Sequence, residues 1–290
     1  MTTSYRRKPN QTPAQGDKRL KENRNKPPAN VTSETGLPEL LDHQRMAISV
    51  PDDSWLVMAG GRGGGKSWTL ALLLVRDALR FGKSFRGALL RTDLAGLKKL
   101  QQLIEEFANQ IPQLAGTRYL VGQKTFEFGN GGKLFLHYLK DENAFARFQG
   151  EDLSHLAIDE IAQISEPGPV LRLCSSLRSP DPAIKPRLIA TGNPGNIGSL
   201  WLFENVISRA TPWQPFHCEL FNHSMVVCHS TVHDNSFLDV DGYVATLKAS
   251  SNNDPAKILA EVWGDWSATP ASFFGHCLSE QRSKVPWIGS

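Results

Sequence analysis

Short apolar runs alternate with amphipathic segments along the first two thirds of the chain. Trp55–Ala59 is a continuous apolar run that stops at glycines, which is typical of a buried strand. The next segment, 68–81, places Leu70 and Leu73 at helical spacing and predicts an amphipathic helix. The same signals predict one more helix and three more buried strands, at 94–111 for the helix and 87–90, 153–158 and 187–191 for the strands. Strands that alternate with helices predict an α/β fold with a mostly parallel sheet covered by helices on both faces.

The rest of the pattern is less regular. Two runs, 124–128 and 133–138, flank Gly129-Asn-Gly-Gly132 and predict a hairpin. Beyond about residue 212 the alternation fades, and helices are predicted near 239–249 and 254–263. This part of the chain therefore favours a small, mainly helical subdomain.

Positive charge is concentrated at the beginning of the chain. Of the 290 residues, 40% are hydrophobic and 21% charged, as in soluble globular proteins, and the net charge is +3. Residues 1–30 hold eight Lys or Arg and two acidic residues, so the remainder is slightly acidic. Residues 1–36 have almost no large apolar side chains and are predicted to be disordered. This tail is either a basic arm that binds DNA or an acidic partner protein, or it is a solvated segment with no fixed partner.

Three features of the composition narrow the class of protein. No stretch of 18 uncharged apolar residues occurs, so we expect no ordinary transmembrane helix and no membrane partner. The chain begins without an apolar run, so no secretory signal is expected. Four scattered cysteines are too few for a disulfide framework and favour a reducing, intracellular compartment.

The segment Gly60-Gly-Arg-Gly-Gly-Gly-Lys-Ser67 matches the phosphate-binding pattern G-x-x-x-x-G-K-S/T, with a predicted strand before it and a helix after it. Its glycines let backbone N–H groups turn inward, and the helix N-terminus adds partial positive charge. Lys66 is predicted to reach the β and γ phosphates of ATP, and Ser67 to bind Mg²⁺. The predicted nucleotide contacts are thus Gly60, Gly61, Arg62, Gly63, Gly64, Gly65, Lys66 and Ser67.

The predicted strand at 153–158 ends in two carboxylates, Asp159 and Glu160. About 90 residues after a phosphate-binding loop, such a pair is typical of a Walker B strand. We expect Asp159 to bind Mg²⁺ directly or through water, and Glu160 to polarise the attacking water as general base. The alternative for either residue is an acidic cap at the end of a strand.

Thr191-Gly-Asn-Pro194 follows a third apolar strand. If that strand neighbours the first, Asn193 lies near the γ-phosphate, where it can sense hydrolysis and relay it. A plain turn is the alternative, because Gly-Asn-Pro is also turn chemistry.

For three arginines and one glutamine, the sequence gives weaker indications of a role at the nucleotide site. Arg62 either points at the phosphates and stabilises transition-state charge or faces a neighbouring carboxylate and only shapes the loop. Arg91 and Arg147 either serve a neighbouring subunit's nucleotide or make ordinary ion pairs. Gln44 offers a donor and an acceptor that match the edge of adenine, but a helix-surface glutamine would look the same.

A group of histidines and cysteines raises the question of zinc. It contains no Cys-x-x-Cys pair, and its spacing matches no common zinc site, so we interpret the two cysteines as buried small hydrophobes. Its members are His217, Cys218, His223, Cys228, His229 and His233.

Together these motifs resemble the large terminase subunit of tailed bacteriophages. The resemblance rests on the arginine second in Gly61-Arg-Gly-Gly-Gly-Lys-Ser67, on Asp159-Glu160 and on Thr191-Gly-Asn-Pro194. Asp234-Asn-Ser-Phe-Leu238 and Val262-Trp-Gly-Asp-Trp266 resemble the segment that closes the ATPase region of that family. The resemblance covers roughly residues 37–275.

The resemblance implies a P-loop ATPase of the additional-strand class that uses ATP and Mg²⁺. It further implies a ring of identical subunits on the portal of a procapsid, a small terminase subunit as partner, and movement of double-stranded DNA into the shell. As a viral protein that is not secreted, the chain is expected in the host cell cytoplasm. The family usually has a second, nuclease domain, but the chain stops where that domain would start, so no nuclease activity is expected from it.

The resemblance also suggests a division of the chain into four parts. We expect a disordered basic tail at 1–36, a P-loop ATPase core at 37–212 and a closing or linker subdomain at 213–275. The last segment, 276–290, is expected to be the start of a truncated or missing nuclease domain.

The leading interpretation is an ATP-driven translocase of double-stranded viral DNA. Lys66 and the loop amides hold the phosphates, Glu160 activates water, and Asn193 couples product formation to movement of residues 195–275. One alternative is a helicase-like P-loop motor unrelated to packaging. Another is a truncated assembly subunit that binds nucleotide with little turnover.

Overall fold

The computed structural model describes residues 39–139, Phe148 and 151–267. The predictions for the tail 1–36, for Arg147 and for 276–290 lie outside these described residues. Seven α-helices occur within the described part of the chain: α1 Asp42–Ile48, α2 Lys66–Phe81, α3 Leu94–Asn109, α4 Pro167–Cys174, α5 Ser199–Asn205, α6 Val240–Ser250 and α7 Pro255–Trp263. Nine strands are described as well: β1 Trp55–Ala59, β2 Arg86–Arg91, β3 Arg118–Leu120, β4 Thr125–Glu127, β5 Lys133–Tyr138, β6 His155–Ile158, β7 Arg187–Gly192, β8 Pro215–Cys218 and β9 His223–His229.

These nine strands form one sheet in the described residues, in the order β3-β4-β5-β2-β6-β7-β1-β9-β8. Every neighbouring pair from β5 to β9 in that order is parallel, whereas the outer pairs β3–β4, β4–β5 and β8–β9 are antiparallel. The predicted mostly parallel α/β sheet is confirmed. So is the predicted hairpin, which is β4–β5.

Successive strand residues face opposite sides of the sheet, so each strand contributes to two apolar cores. In β1, Leu56 and Met58 pack with helices α2 and α3, whereas Val57 and Ala59 pack with residues of α4 and α5. Helices therefore cover both faces, which explains why the strand reads as a continuous apolar run.

The register of the central strands brings their carboxyl ends together. Leu90 pairs with Ile158, and Ala59 pairs with Gly192. The segments that follow β1, β2, β6 and β7 therefore meet at one edge of the sheet, where ligands bind in open parallel sheets.

The long elements appear where the sequence predicts them, but several short ones do not. The helices α1, α4 and α5 and the strands β8 and β9 have 4 to 8 residues each and were not anticipated. Strands β8 and β9 belong to the same sheet as β1. The division of the chain at residues 212 and 213 stays a prediction.

The predicted helices near 239–249 and 254–263 are α6 and α7. They pack on one another through a small apolar cluster around Val232, Leu247 and Val262. Residues 230–264 are called the closing segment below.

Candidate active site

The loop between β1 and α2 adopts a conformation that requires glycine. Gly60, Gly63 and Gly65 have φ angles of 138°, 81° and 75°, a region that other residues rarely adopt. Gly65 is the N-cap of α2, so the loop leads directly into the N-terminus of that helix. The loop therefore presents backbone N–H groups at a helix N-terminus, the arrangement that binds phosphate.

Lys66 is the first residue of α2 and is almost fully buried, with 7% of its surface exposed. Its amino group donates to the carbonyl oxygen atoms of Gly60, at 3.3 Å, and of Gly61. Burial lowers the pKa of Lys66 to about 8, although Glu160 and Asp159 nearby favour its charged form. A bound anion would satisfy this buried cation more completely.

Asp159 follows β6 and is fully buried. Its Oδ1 accepts hydrogen bonds from the hydroxyls of Ser67, at 2.8 Å, and Thr191, at 2.6 Å. Its Oδ2 pairs with the guanidinium of Arg91. The carboxylate is thus held by residues from α2, β2 and β7.

Glu160 has a left-handed backbone conformation, with φ 58°, that turns the chain sharply after β6. Its Oε1 accepts a hydrogen bond of 2.6 Å from Nδ2 of Asn193, and its backbone N–H donates to Oγ1 of Thr191 at 3.0 Å. Burial and the charge of Asp159 raise the pKa of Glu160. A carboxylate in this environment is a stronger base than an exposed glutamate.

These groups surround a cavity of about 450 Å³ at the carboxyl edge of the sheet. Polar and charged side chains dominate its walls. Its lining consists of residues 62–68 of the loop and α2, together with Arg91, Lys99, Glu160, Gln163, Asn193, Asn196 and Tyr243.

The closing segment packs against the outer side of the loop. The N–H of Arg62 donates to the carbonyl of Glu261 at 2.6 Å, and Nδ2 of Asn235 donates to the carbonyl of Gly63 at 2.7 Å. Gly264, with φ 68°, approaches the loop so closely that a Cβ there would lie 2.4 Å from the nitrogen of Gly61. The conformation of the loop and the position of the closing segment therefore depend on one another.

The sequence of this chain matches a family model described as phage terminase large subunit over residues 53–265. The chain belongs to the phage terminase large subunit family. The matched region runs from just before β1 to just beyond α7, so it includes the loop, both acidic residues and the closing segment.

Solved terminase structures share the fold. The large terminase of a thermophilic bacteriophage superposes with a TM-score of 0.60 at 14% identity, covering 79% of this chain and 54% of that one. The HK97 bacteriophage large terminase gives a TM-score of 0.54 at 13% identity, covering 81% and 52%. The ATPase domain of the Thermus phage P74-26 large terminase gives 0.53 at 12% identity, covering 81% and 97%.

The chain thus spans about half the length of the first two of these terminase chains. It corresponds to nearly all of the P74-26 ATPase domain. A search among curated proteins finds no match to this sequence.

The structure brings most of the predicted site residues of this chain together. The residues from Arg62 to Ser67, together with Glu160 and Asn193, line one cavity. Asp159 lies directly behind them through its bond to Ser67, and Gly60 and Gly61 contact Lys66 through their carbonyls. Their individual roles stay predictions.

Arg62 adopts the second of its two predicted arrangements. Its side chain is half exposed, and its Nη2 lies 3.4 Å from Oε1 of Glu261 in the closing segment. A role toward the phosphates stays a prediction, since the side chain also lines the cavity.

Gln44 lies behind the phosphate-binding loop and outside the described lining of the cavity. It is buried in α1, where its Oε1 accepts a hydrogen bond from the N–H of Leu41 at 2.9 Å. It is absent from the described lining of the cavity, and its side chain lies behind Gly65. Recognition of adenine by Gln44 stays a prediction.

Arg91 makes an ion pair with Asp159 of the same chain, which is one of its two predicted arrangements. Reasoning from the sequence gave no role to three other residues of the site. Thr191 bridges both acidic residues. Lys99 and Tyr243 line the cavity from α3 and α6. Thr191 was findable, because a polar residue near the end of a predicted strand beside the Walker B strand faces the same edge of the sheet.

Both cysteines of the histidine-rich stretch are buried, as predicted. Cys218 and Cys228 pack in the two apolar cores, and burial raises the pKa of Cys228 to about 12. His223 stacks on Trp55 with ring centroids 4.4 Å apart. Among the residues that the structure describes, no group of three or more His, Cys, Asp or Glu side chains is placed to hold a metal ion.

The pair formed by Ser67 and Asp159 suits magnesium in its chemistry. A hydroxyl and a carboxylate 2.8 Å apart are hard oxygen donors, and Mg²⁺ in phosphate-transferring sites takes one or two carboxylates plus phosphate oxygens.

None of the helices among the described residues has the length and hydrophobicity that a membrane span requires.

Proposed function

We propose that this chain is the ATP-hydrolysing motor of a phage DNA-packaging machine and drives double-stranded viral DNA into a procapsid. The observation that carries the proposal is the hydrogen bond between Asn193 and Glu160, which joins the proposed general base to the proposed sensing amide beside the phosphate-binding loop. The family match supports ATP as the substrate, and so does the large terminase of the thermophilic bacteriophage, which was also solved in complex with ADP.

The loop and Lys66 are suited to hold the triphosphate. The backbone N–H groups at the N-terminus of α2 provide partial positive charge, and the ammonium of Lys66 provides a full one. Phosphate oxygens would replace the carbonyls of Gly60 and Gly61 as acceptors for this ammonium. Their negative charge would raise its pKa and keep it protonated.

Ser67 and Asp159 are the residues that would hold Mg²⁺. When bound there, Mg²⁺ neutralises phosphate charge and favours departure of the leaving group. Thr191 donates to the same oxygen of Asp159 as Ser67 does, so it fixes the orientation of the carboxylate.

Glu160 is placed to take a proton from the attacking water. Its raised pKa makes it a better base, and the bond from Asn193 restrains its carboxylate. Hydrolysis followed by release of inorganic phosphate removes the negative charge that Glu160 faces, which changes the strength of this bond. The loop after Asn193, in which Asn196 donates to the carbonyl of Asn193 at 3.1 Å, can pass that change to α5.

The partners follow from the proposed motor. We propose a homo-oligomeric ring on the portal of the procapsid, a small terminase subunit as partner and the host cell cytoplasm as location. Contacts with DNA would be mainly to phosphates, so little sequence preference is expected.

ATPase measurements with and without DNA and procapsids test the proposal. We expect hydrolysis that DNA and portal-bearing procapsids stimulate, together with DNA protected from nuclease inside the shells. Unwinding of a duplex with a single-stranded tail would instead indicate a helicase. Nucleotide binding without turnover under all of these conditions would indicate an assembly subunit.

The absence of nuclease activity from this chain also stays a proposal. A supercoiled plasmid incubated with the protein and Mg²⁺ or Mn²⁺ should stay supercoiled while ATP is hydrolysed. Nicking that survives repurification and disappears in Asp265→Ala or Glu280→Ala would contradict it.

A further inference from the structure

Arg91 lies at the end of β2, beside the buried carboxylate of the proposed ATPase centre. Because Leu90 pairs with Ile158, Arg91 and Asp159 leave their strands at the same level. The guanidinium donates through Nη1 to Oδ2 of Asp159. Asp159 is fully buried, whereas 17% of the side-chain surface of Arg91 is exposed and this side chain lines the cavity. The arginine is therefore the cavity-facing partner of a buried carboxylate.

A second acid fixes the other side of the guanidinium. Nε of Arg91 donates to Oδ2 of Asp93, whose Oδ1 accepts the N–H of Gly96 at 2.6 Å as the N-cap of α3. A Cβ at Gly96 would overlap the guanidinium of Arg91, so any other residue in the first turn of α3 would force the guanidinium to shift. The guanidinium of Arg91 is therefore confined by its neighbours, whereas both side chains of an ion pair such as Arg86–Glu151 are exposed.

The two oxygens of Asp159 have different partners. Oδ1 receives the neutral hydroxyls of Ser67 and Thr191, whereas Oδ2 receives the positive charge of Arg91. A cation held by the same carboxylate would be repelled by that guanidinium, and inside a protein such a repulsion is screened far less than in water.

We propose that Arg91 is a positioning residue. It holds the carboxylate of Asp159 in place within its own subunit and competes with the divalent cation for that carboxylate. The inference rests on the proposed function in taking Asp159 as a ligand of the cation. Binding of the cation then weakens the Arg91–Asp159 contact, while Asp93 keeps the guanidinium in the cavity, which Lys99 also lines. Occupation of the site is thereby communicated to β2 and the start of α3.

Mn²⁺ affinity in the presence of ADP, measured by electron paramagnetic resonance, tests the competition without reference to turnover. Arg91→Gln should bind Mn²⁺ about tenfold more tightly than the parent, which corresponds to about 1.4 kcal/mol. Arg86→Gln, at the other end of the same strand, is the matched control and should bind Mn²⁺ as the parent does. Unchanged or weaker Mn²⁺ binding by Arg91→Gln would overturn the proposal.

Two further variants keep the result interpretable. Asp159→Asn should lose most Mn²⁺ binding, and if it does not, the proposed function has misassigned the ligand and the failure lies there. If circular dichroism shows that Arg91→Gln does not fold, Arg91→Lys is measured instead. Lysine keeps the charge, but its ammonium lacks the planar fork with which arginine hydrogen-bonds to two carboxylates at once. Mn²⁺ should therefore bind to Arg91→Lys about threefold more tightly than to the parent. An affinity equal to that of the parent would overturn the proposal.

Discussion

Nδ2 of Asn193 lies 2.6 Å from Oε1 of Glu160, although the two residues leave different strands and are 33 positions apart. The contact exists because β6 and β7 are parallel neighbours whose carboxyl ends lie at the same edge of the sheet. It gives the proposed base a partner that a change of charge in the cavity would disturb.

Replacing the proposed base should separate binding from turnover. Glu160→Gln keeps the size of the side chain and removes its ability to take a proton. We expect nucleotide affinity within a fewfold of the parent and a turnover lower by roughly 10²–10⁴-fold. Single-turnover kinetics and equilibrium nucleotide binding measure the two quantities, and hydrolysis at the parent rate would show that Glu160 is not the base.

Removing the amide partner should shift the pH dependence of the reaction. The bond from Asn193 lowers the pKa of Glu160, opposing the larger effects of burial and of Asp159. In Asn193→Ala the pKa of Glu160 should therefore be higher still, and the acidic limb of the rate profile should move to higher pH. A profile that keeps its acidic limb while the rate falls would mean that Asn193 acts on something other than this carboxylate.

The lysine of the loop should make nucleotide binding depend on pH around pH 8. Because the pKa of Lys66 is lowered to about 8, nucleotide-free protein loses this charge as the pH rises through that value. We expect ATP affinity to decline above about pH 8 and ATP binding to take up protons there, which calorimetry in buffers of different ionisation enthalpy detects. Lys66→Met should bind ATP weakly with neither effect, so proton uptake by that variant would assign it to another group.

Gly264 lies where the closing segment contacts the loop, so adding a single methyl group there should disturb nucleotide binding and stability. In Gly264→Ala the new Cβ would meet Gly61 and Gly60 within 2.7 Å, so the closing segment must shift. We expect weaker nucleotide binding and a lower melting temperature. Gly116→Ala is the control, because Gly116 also has a positive φ of 87° but a Cβ there meets no atom within 4 Å. Equal losses in the two variants would reduce the effect to backbone strain.

Removal of residues 1–30 should test the basic tail predicted from the sequence. These residues contribute a net charge of +6 and almost no apolar surface, so the melting temperature should hardly change. If the tail is an electrostatic arm, DNA binding should weaken and its dependence on salt should become less steep. Unchanged DNA binding at low salt would leave the tail without a role in it.

Much of the fold was predictable because its signals are local. The apolar run of β1, the glycines of the loop and the periodicity of α2 and α3 lie in continuous stretches of sequence, and the corresponding elements appear within a few residues of their predicted ends. Short elements such as α5 and β8 were missed because four to seven residues carry too little periodicity to distinguish them from loops.

The contacts around the site were much less predictable. Arg62 has two plausible partners in the sequence, and only packing of α7 against the loop places Glu261 beside it. Gln44 looked available to a ligand, yet its amide caps its own helix. Such choices depend on which distant segment takes up a polar group first, because buried donors and acceptors are rarely left unpaired.

Spacing and residue type are enough to specify the phosphate-binding loop and the acidic strand end, because both are local structures within a short stretch of chain. The order β2-β6-β7-β1 was decided only in the tertiary structure, since it depends on hydrogen bonds between strands far apart in the chain. That order puts Arg91 against Asp159 and Asn193 against Glu160. It thereby turns separate motifs into one site.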